Sequence, residues 1–249
     1  TDKSLEILKR FPFVKIINHK INMGSGSARK TGTLAAIGNI VVWTDVDMTY
    51  PNDLIPALVT YLIANDYDQV VGSRRQERGT IPVLRVPAKW FIRKLAIYLS
   101  EADIPDLNSG LRAFKREIGN KYLYLLPKGF SCVTTMTLSF LTNGKSVGYF
   151  PIEYNKRAGK SKFHPIKDTY KYLLQVIRMI TYYNPLKIFI PLSFLIVLVG
   201  VLTSIYDRMF RAGRHSLEES DIIIVIAGLI CGVVGLLADL IVTQNKRFQ

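Results

Sequence analysis

An α/β domain with a mostly parallel sheet, followed by interfacial helices and two membrane-spanning helices, is the fold class this 249-residue sequence predicts. Three observations predict it. First, Ile40-Val41-Val42-Trp43 is a continuous apolar run that ends abruptly in Thr44-Asp45-Val46-Asp47. Such a run suits a strand buried on both faces of a parallel sheet. Second, strand-like and helix-like segments alternate with short turns from Val14 to Ser73, the pattern of a parallel sheet covered on both faces. Third, Leu186–Tyr206 and Ile222–Thr243 are each long enough to cross a bilayer, which takes about 20 apolar residues.

Composition narrows the function classes. The formal net charge is +14, so an anionic partner is expected: a phosphorylated substrate, a phospholipid surface or nucleic acid. Nucleic acid would account for the charge but not for the two apolar stretches, and is not expected. Cys132 and Cys231 lie far apart and suggest neither a disulfide framework nor a metal cluster. His19, His164 and His215 have no ligand spacing. Lys156–Lys187 holds eight Lys or Arg and one acid, Asp168, and Lys246 and Arg247 follow the second stretch. By the positive-inside rule both flanks are cytoplasmic and the loop Asp207–Asp221 faces outward. The expectation is an integral protein of the cell (inner) membrane with a cytoplasmic α/β domain.

Taken in order, Thr1-Asp2-Lys3-Ser4 caps a short amphipathic helix ending near Lys9, and Val14–Ile17 reads as a strand. Asn22–Gly32, NMGSGSARKTG, fails as a phosphate-binding loop and as a dinucleotide fingerprint, because Arg29 stands where either needs glycine. It remains a tight turn feeding a helix over Ala28–Ile37, whose N-terminus beside Arg29 and Lys30 can favour a phosphate. After the strand Ile40–Trp43, Asp45 and Asp47 are one spacer apart, able to share a hard divalent cation or to be two solvated acids. Asn52 or Asp53 caps a helix over Leu54–Asn65. Asp68–Ser73 is a strand that ends in Arg74-Arg75. Arg85–Ser100 is a basic, aromatic helix that either lies on a membrane surface or shows a solvated face. Asp106–Lys115 places Asp106, Ser109 and Arg112 around a glycine turn before a short apolar piece. Helices are expected near Glu117–Leu126 and Cys132–Thr142, a strand over Val147–Tyr154, a mobile basic loop over Asn155–Phe163, and an interfacial helix over Ile166–Tyr183. Gly228-x-x-x-Gly232 could pack the second span into a homo-oligomer.

Five blocks therefore stand in a fixed order: Asn22-x-Gly24; Asp45-x-Asp47; Gly72-Ser73-Arg74; Asp106-x-x-Ser109-Gly110-x-Arg112-Ala113-Phe114; and Arg157-x-x-Gly159-Lys160-Ser161-Lys162-Phe163. Together, ahead of two spans, they resemble glycosyltransferase family 2, in the branch of dolichyl-phosphate mannose synthase and the bacterial polyprenyl-phosphate glycosyltransferases. The resemblance covers essentially the whole chain. It implies a Rossmann-like GT-A fold over residues 1–163, a juxtamembrane helix over 164–185, spans at 186–206 and 222–243, an outer loop at 207–221 and a cytoplasmic tail at 244–249. Family members also begin with a strand and loop that bind the nucleotide base. Thr1-Asp2 reads as the continuation of that segment, so half of the donor site is expected upstream of Thr1.

The implied activity is inverting transfer of one sugar from a GDP- or UDP-linked donor to a polyprenyl phosphate, undecaprenyl or dolichyl, with a divalent metal such as Mg or Mn. The implied catalytic residues are Asp47, Asp106 and Arg157. Asp45, Asp47, Arg157 and Lys162 would bind the donor diphosphate. Arg74, Arg85, Lys89 and Ser109 would bind the acceptor phosphate, with Lys89 standing where some members have serine. Asp45, Asp47 and Thr49 would hold the metal, with Thr49 standing where some members have glutamine. A processive polysaccharide synthase would carry a Gln-x-x-Arg-Trp block, which is missing here. An inactive membrane subunit is the other alternative.

Overall fold

The computed structural model describes residues 3–74, 93–94, 96–98, 100–129, 131–155, 165–210 and 219–247. The chain divides into two compact units, Thr1–Tyr172 and Leu173–Gln249. In the first unit, helix α1 (Ser4–Leu8) precedes α2 (Ser25–Ala35) and strand β1 (Ile40–Trp43). A 3₁₀ turn at Asn52–Leu54 leads into α3 (Ile55–Ala64), then β2 (Gln69–Arg74) and β3 (Arg112–Lys115). Helix α4 (Arg116–Tyr122), α5 (Cys132–Thr142) and β4 (Val147–Ile152) complete the domain. Helix α6 (Pro165–Tyr183) runs from the first unit into the second, which holds α7 (Leu186–Phe210) and α8 (Glu219–Arg247).

The four strands form one sheet in the order β1-β3-β2-β4. β2 and β4 are parallel, whereas β3 runs antiparallel to both β1 and β2. Three strands thus share one direction and the sheet is mixed. Arg112–Lys115, read from the sequence as a short apolar piece, is the strand that makes it so. The apolar run of β1 is covered on both faces, as its composition requires. Val41 and Trp43 join a core with Phe114, Tyr122, Met136 and Phe140, under α4 and α5. Ile40 and Val42 pack on the opposite core of Leu58, Leu62, Val70, Ala113 and Ile152, under α3. The alternation is the two-residue period of a strand. Edge-to-face contacts of Trp43 with Phe114, at 5.2 Å, and of Tyr122 with Phe140, at 5.4 Å, order the first core.

Several expectations change. Val14–Ile17 forms no strand. It has no ladder partner among the described residues, and Val14 and Ile17 are exposed. Neither Asn52 nor Asp53 caps α3 by a side-chain bond. Asn52 Oδ1 instead accepts the Thr44 hydroxyl at 2.6 Å, and Pro56 stands in the first turn of the helix. The helix after the glycine turn starts at Ser25, not Ala28. The helix expected to reach Leu126 ends at Tyr122 and tightens into a 3₁₀ turn over Leu123–Leu125.

In the second unit, α7 and α8 pack along a seam of glycines. A Cβ at Gly228 would lie 2.6 Å from Val197 Cγ2, and one at Gly235 would collide with Phe189 Cβ. Ser193 Oγ donates to the Gly228 carbonyl at 2.7 Å. Gly228 and Gly232 are therefore packed against α7 of the same chain. Both helices are long and apolar enough to cross a membrane, and only 6% and 17% of their apolar windows are buried. A core helix of a soluble protein would be mostly covered; these present their leucines and isoleucines outward.

Candidate active site

The topology gathers the chemistry at one end of the sheet. β1, β2 and β4 share a direction, so the segments after them meet the segment that enters the antiparallel β3. Those segments are 44–50, Arg74, 153–155 and 106–111. Open α/β sheets place ligands outside the carboxyl ends of their strands.

The first carboxylate, Asp45, is gripped from behind. Arg29 Nη2 on α2 donates to its Oδ1 at 2.6 Å. The same guanidinium donates to Cys132 Sγ at 3.4 Å and lies 5.5 Å from the Trp43 ring centre. Gly110 closes against the pair. A Cβ there would fall 2.8 Å from Asp45 Oδ2 and 3.2 Å from Arg29 Nη2, so a larger residue would displace the ends of these two side chains.

The second carboxylate, Asp47, is set by its own turn. Its Oδ1 accepts the Thr49 hydroxyl at 2.6 Å and the Thr49 N–H at 3.3 Å. Between them Met48 sits at φ 59°, the left-handed region that costs an ordinary side chain about 1–3 kcal/mol. Thr49 is fully buried, so its hydroxyl stands behind Asp47 and orients it. Deeper in, the register sets Arg112 opposite Trp43. Arg112 is fully buried, donates to Val133 O at 2.6 Å and Thr137 Oγ1 at 2.9 Å, and also bonds the Ser109 carbonyl. Burial, then the neighbouring charge of Arg29, pulls its pKa down to about 10, which leaves it cationic at neutral pH.

Arg74 and Asp106 form one unit. Arg74 Nε donates to Asp106 Oδ2 at 2.7 Å and Nη2 to Oδ1 at 2.9 Å. The Asn108 N–H also donates to Oδ1, at 2.9 Å. Burial pushes the Asp106 carboxyl up, but the Arg74 hydrogen bonds and charge outweigh it and hold the group below the usual carboxylate range. A carboxylate held anionic in a two-pronged grip is an anchor for Arg74 rather than a proton acceptor. Ser109 is fully buried and reaches the Leu111 carbonyl at 3.5 Å. Tyr50, also buried, accepts the Gly110 N–H at 2.6 Å.

Of the residues singled out in the sequence, Asp45, Asp47, Thr49, Arg74, Asp106 and Ser109 belong to this cluster of loops. Arg85, Lys89, Arg157 and Lys162 lie outside the described residues. The glycine turn does not present an open phosphate cradle. Gly26 N–H donates to the Lys128 carbonyl at 2.8 Å, and a Gly26 Cβ would collide with the Pro127 carbonyl. Sequence reasoning does not bring Tyr50 into the site and does not pair Arg29 with Asp45 or bury Arg112 behind it; the structure does. The usable signal for Arg29 is its spacing: Arg29 and Thr33 are one helical turn apart on α2, and both meet Trp43, whose Nε1 donates to Thr33 Oγ1 at 2.9 Å.

Among the described residues, no three His, Cys, Asp or Glu converge to hold a metal. The donor set is the pair of carboxylates. Mg and Mn ions are often held by one or two protein carboxylates and complete their shell with substrate phosphate oxygens and water, and the pair fits that demand. One oxygen of each carboxylate is already engaged, Asp45 Oδ1 by Arg29 and Asp47 Oδ1 by Thr49.

Comparisons with known proteins bear on the family and the fold. Residues 1–123 match the family described as Glycosyl transferase family 2, and residues 184–243 match the GtrB C-terminal hairpin. The chain is 32% identical over 143 residues to the dolichyl-phosphate hexose transferase of Haloferax volcanii, covering 57% of this chain and 61% of that protein. It is 29% identical over 217 residues to the dolichol-phosphate mannosyltransferase of Pyrococcus furiosus, covering 82% and 57%. The undecaprenyl-phosphate 4-deoxy-4-formamido-L-arabinose transferase of Pseudomonas savastanoi pv. phaseolicola is 29% identical over 209 residues, covering 81% and 59%. The chain thus spans about three fifths of the length of the curated relatives it matches. A mycobacterial protein of known crystal structure shares the fold, with a TM-score of 0.54 at 17% identity, over 72% of this chain and 61% of its own. The chain carries a glycosyltransferase family 2 domain over residues 1–123, followed by a GtrB-type C-terminal hairpin over residues 184–243.

Proposed function

We propose that the protein transfers a single sugar from a nucleotide-diphospho-sugar to a polyprenyl phosphate at the cytoplasmic membrane face. The observation that carries this reading is the meeting of Asp45 and Asp47 with the Arg74–Asp106 pair at one sheet end, in a chain that ends in two exposed apolar helices. The names of the three relatives support the acceptor class.

The chemistry asks little of a base. The second pKa of a phosphate monoester is about 6, so the acceptor is already largely dianionic at neutral pH. One acceptor oxygen attacks the anomeric carbon, the bond to the diphosphate breaks, and the nucleoside diphosphate leaves with the electron pair. A single displacement of this kind inverts the anomeric centre. The difficulty is bringing two anions together, which positioning and positive charge relieve. A divalent cation, when bound at Asp45 and Asp47, supplies neutralisation of the departing diphosphate. Thr49 fixes Asp47 for that task, Arg29 fixes Asp45, and Arg112 adds a buried positive charge behind them. Asp106 holds Arg74 as a formed guanidinium facing the acceptor phosphate. Arg85 and Lys89 would extend that basic path, and Arg157 and Lys162 would reach the donor diphosphate. The donor base, GDP or UDP, is left to experiment.

The test uses the protein in its membrane or in detergent with added polyprenyl phosphate. Label from GDP- or UDP-sugars is expected to enter the organic phase only when both a divalent cation and the lipid phosphate are present. Label that stays in the aqueous phase with every donor would overturn the proposal.

A further inference from the structure

We infer that Tyr154 and Asn155, the residues that leave β4, are positioning residues that tie the two halves of the site to each other. The tie is read from geometry; what each half binds rests on the function proposed above.

Consider first the Asp47 turn. Thr49 secures it from inside, through its two bonds to Asp47 Oδ1. The Met48 side chain is not buried in a core that would secure it, since Met48 is 70% exposed. Yet Met48 is the residue in the left-handed region, so the turn needs a second restraint to hold that conformation. Asn155 provides it from outside. Its main-chain N–H donates to the Thr49 carbonyl at 2.9 Å, and its side-chain Nδ2 reaches the Met48 carbonyl at 3.4 Å. Two successive carbonyls of the carboxylate turn are thus held by one residue more than a hundred positions away.

Tyr154 serves the other half. The Arg74 guanidinium lies 5.3 Å from its ring centre while gripping Asp106. The same ring meets Tyr50 edge-on at 5.2 Å. Tyr50 in turn accepts the N–H of Gly110, the residue packed against Asp45. One step along the chain therefore switches from the Arg74–Asp106 pair to the Asp47 turn. Any shift of β4's end moves both halves together, and the spacing between donor and acceptor groups is kept. Asn155 is itself exposed, so its amide can be removed without opening a core.

The experiment compares Asn155→Ala and Tyr154→Leu with the unaltered full-length chain in detergent. Amide hydrogen exchange is read by peptide, with no ligand added. N155A is expected to raise exchange in 44–51 by about fivefold, the size of one net hydrogen bond, and to leave 106–111 nearly unchanged. Y154L is expected to act mainly on 106–111. Calorimetry of Mn2+ with a nucleoside diphosphate should show binding weakened in N155A by about fivefold, again the size of one net hydrogen bond. N155A keeps the main-chain bond to the Thr49 carbonyl and loses only the side-chain bond to the Met48 carbonyl; unchanged exchange in 44–51 would overturn the positioning role of the Asn155 side chain. So would a uniform rise that includes the core helix 132–142, since that marks general loosening. If the unaltered protein binds no Mn2+ and transfers no sugar, the function proposed above fails, while the exchange pattern still decides the tie.

Discussion

Arg74 and Asp106 carry separate tasks when read from the sequence, and the structure joins them in a two-pronged ion pair. Their spacing hides this, because 32 residues separate them and the contact depends on where β3 enters the sheet. The pair has a pH consequence. The folded-state pKa of Asp106 lies below the ordinary carboxylate value of about 3.9. Its stabilisation is therefore complete above that value and is lost as pH falls through the lowered one. Arg74→Met strands a buried carboxylate and should cost ~3–5 kcal/mol at neutral pH. In denaturant titrations, that deficit is expected to shrink as pH approaches 3; a deficit independent of pH would contradict the pairing. Gly110→Ala tests the close approach to Asp45. Its Cβ would displace the ends of the Asp45 and Arg29 side chains, so the variant should lose most of its transfer activity with little loss of stability, measured by label transfer and thermal unfolding. Thr49→Val keeps the volume but removes the hydroxyl on Asp47. It should weaken Mn2+ binding by about tenfold or more while the fold stays intact by circular dichroism.

At the scale of elements, legibility follows how local the cause is. β1 is readable because its apolar run stops at charged residues within four positions. Helix α5 and the two long apolar helices are readable because their patterns persist over many residues. β3 is not, since Arg112-Ala113-Phe114-Lys115 carries a buried arginine, and burial of that charge rests on carbonyls and a hydroxyl from elsewhere in the chain. The strand expected at Val14–Ile17 has the right composition, but a strand also requires a neighbour. The glycines of the second span show the same limit. Their spacing announces a packing face without saying which helix fills it, and here Phe189, Ser193 and Val197 of α7 do. Gly228→Leu should therefore splay the α7–α8 hairpin within one chain, seen as lost proximity between labels at positions 200 and 225. Ser193→Ala should cost only ~0.6 kcal/mol, the average of such hydrogen bonds inside a membrane.

For the whole molecule, charge and hydropathy carry the argument that single motifs cannot. Two aspartates one residue apart at a strand end are weak alone. Their weight comes from Arg29, Arg74 and Arg112 gathered around the same sheet end, from the net charge of +14, and from an apolar hairpin that comes after the domain in sequence. A metal-assisted meeting of two phosphate-bearing substrates, one dissolved and one held in lipid, uses all of these features together. The most direct test is mass spectrometry of the lipid fraction after incubation with donor, Mn2+ and polyprenyl phosphate. The account predicts a species heavier than the acceptor by one sugar residue, which disappears in Asp47→Ala. A ladder of several sugars per lipid, or the same product from Asp47→Ala, would contradict it.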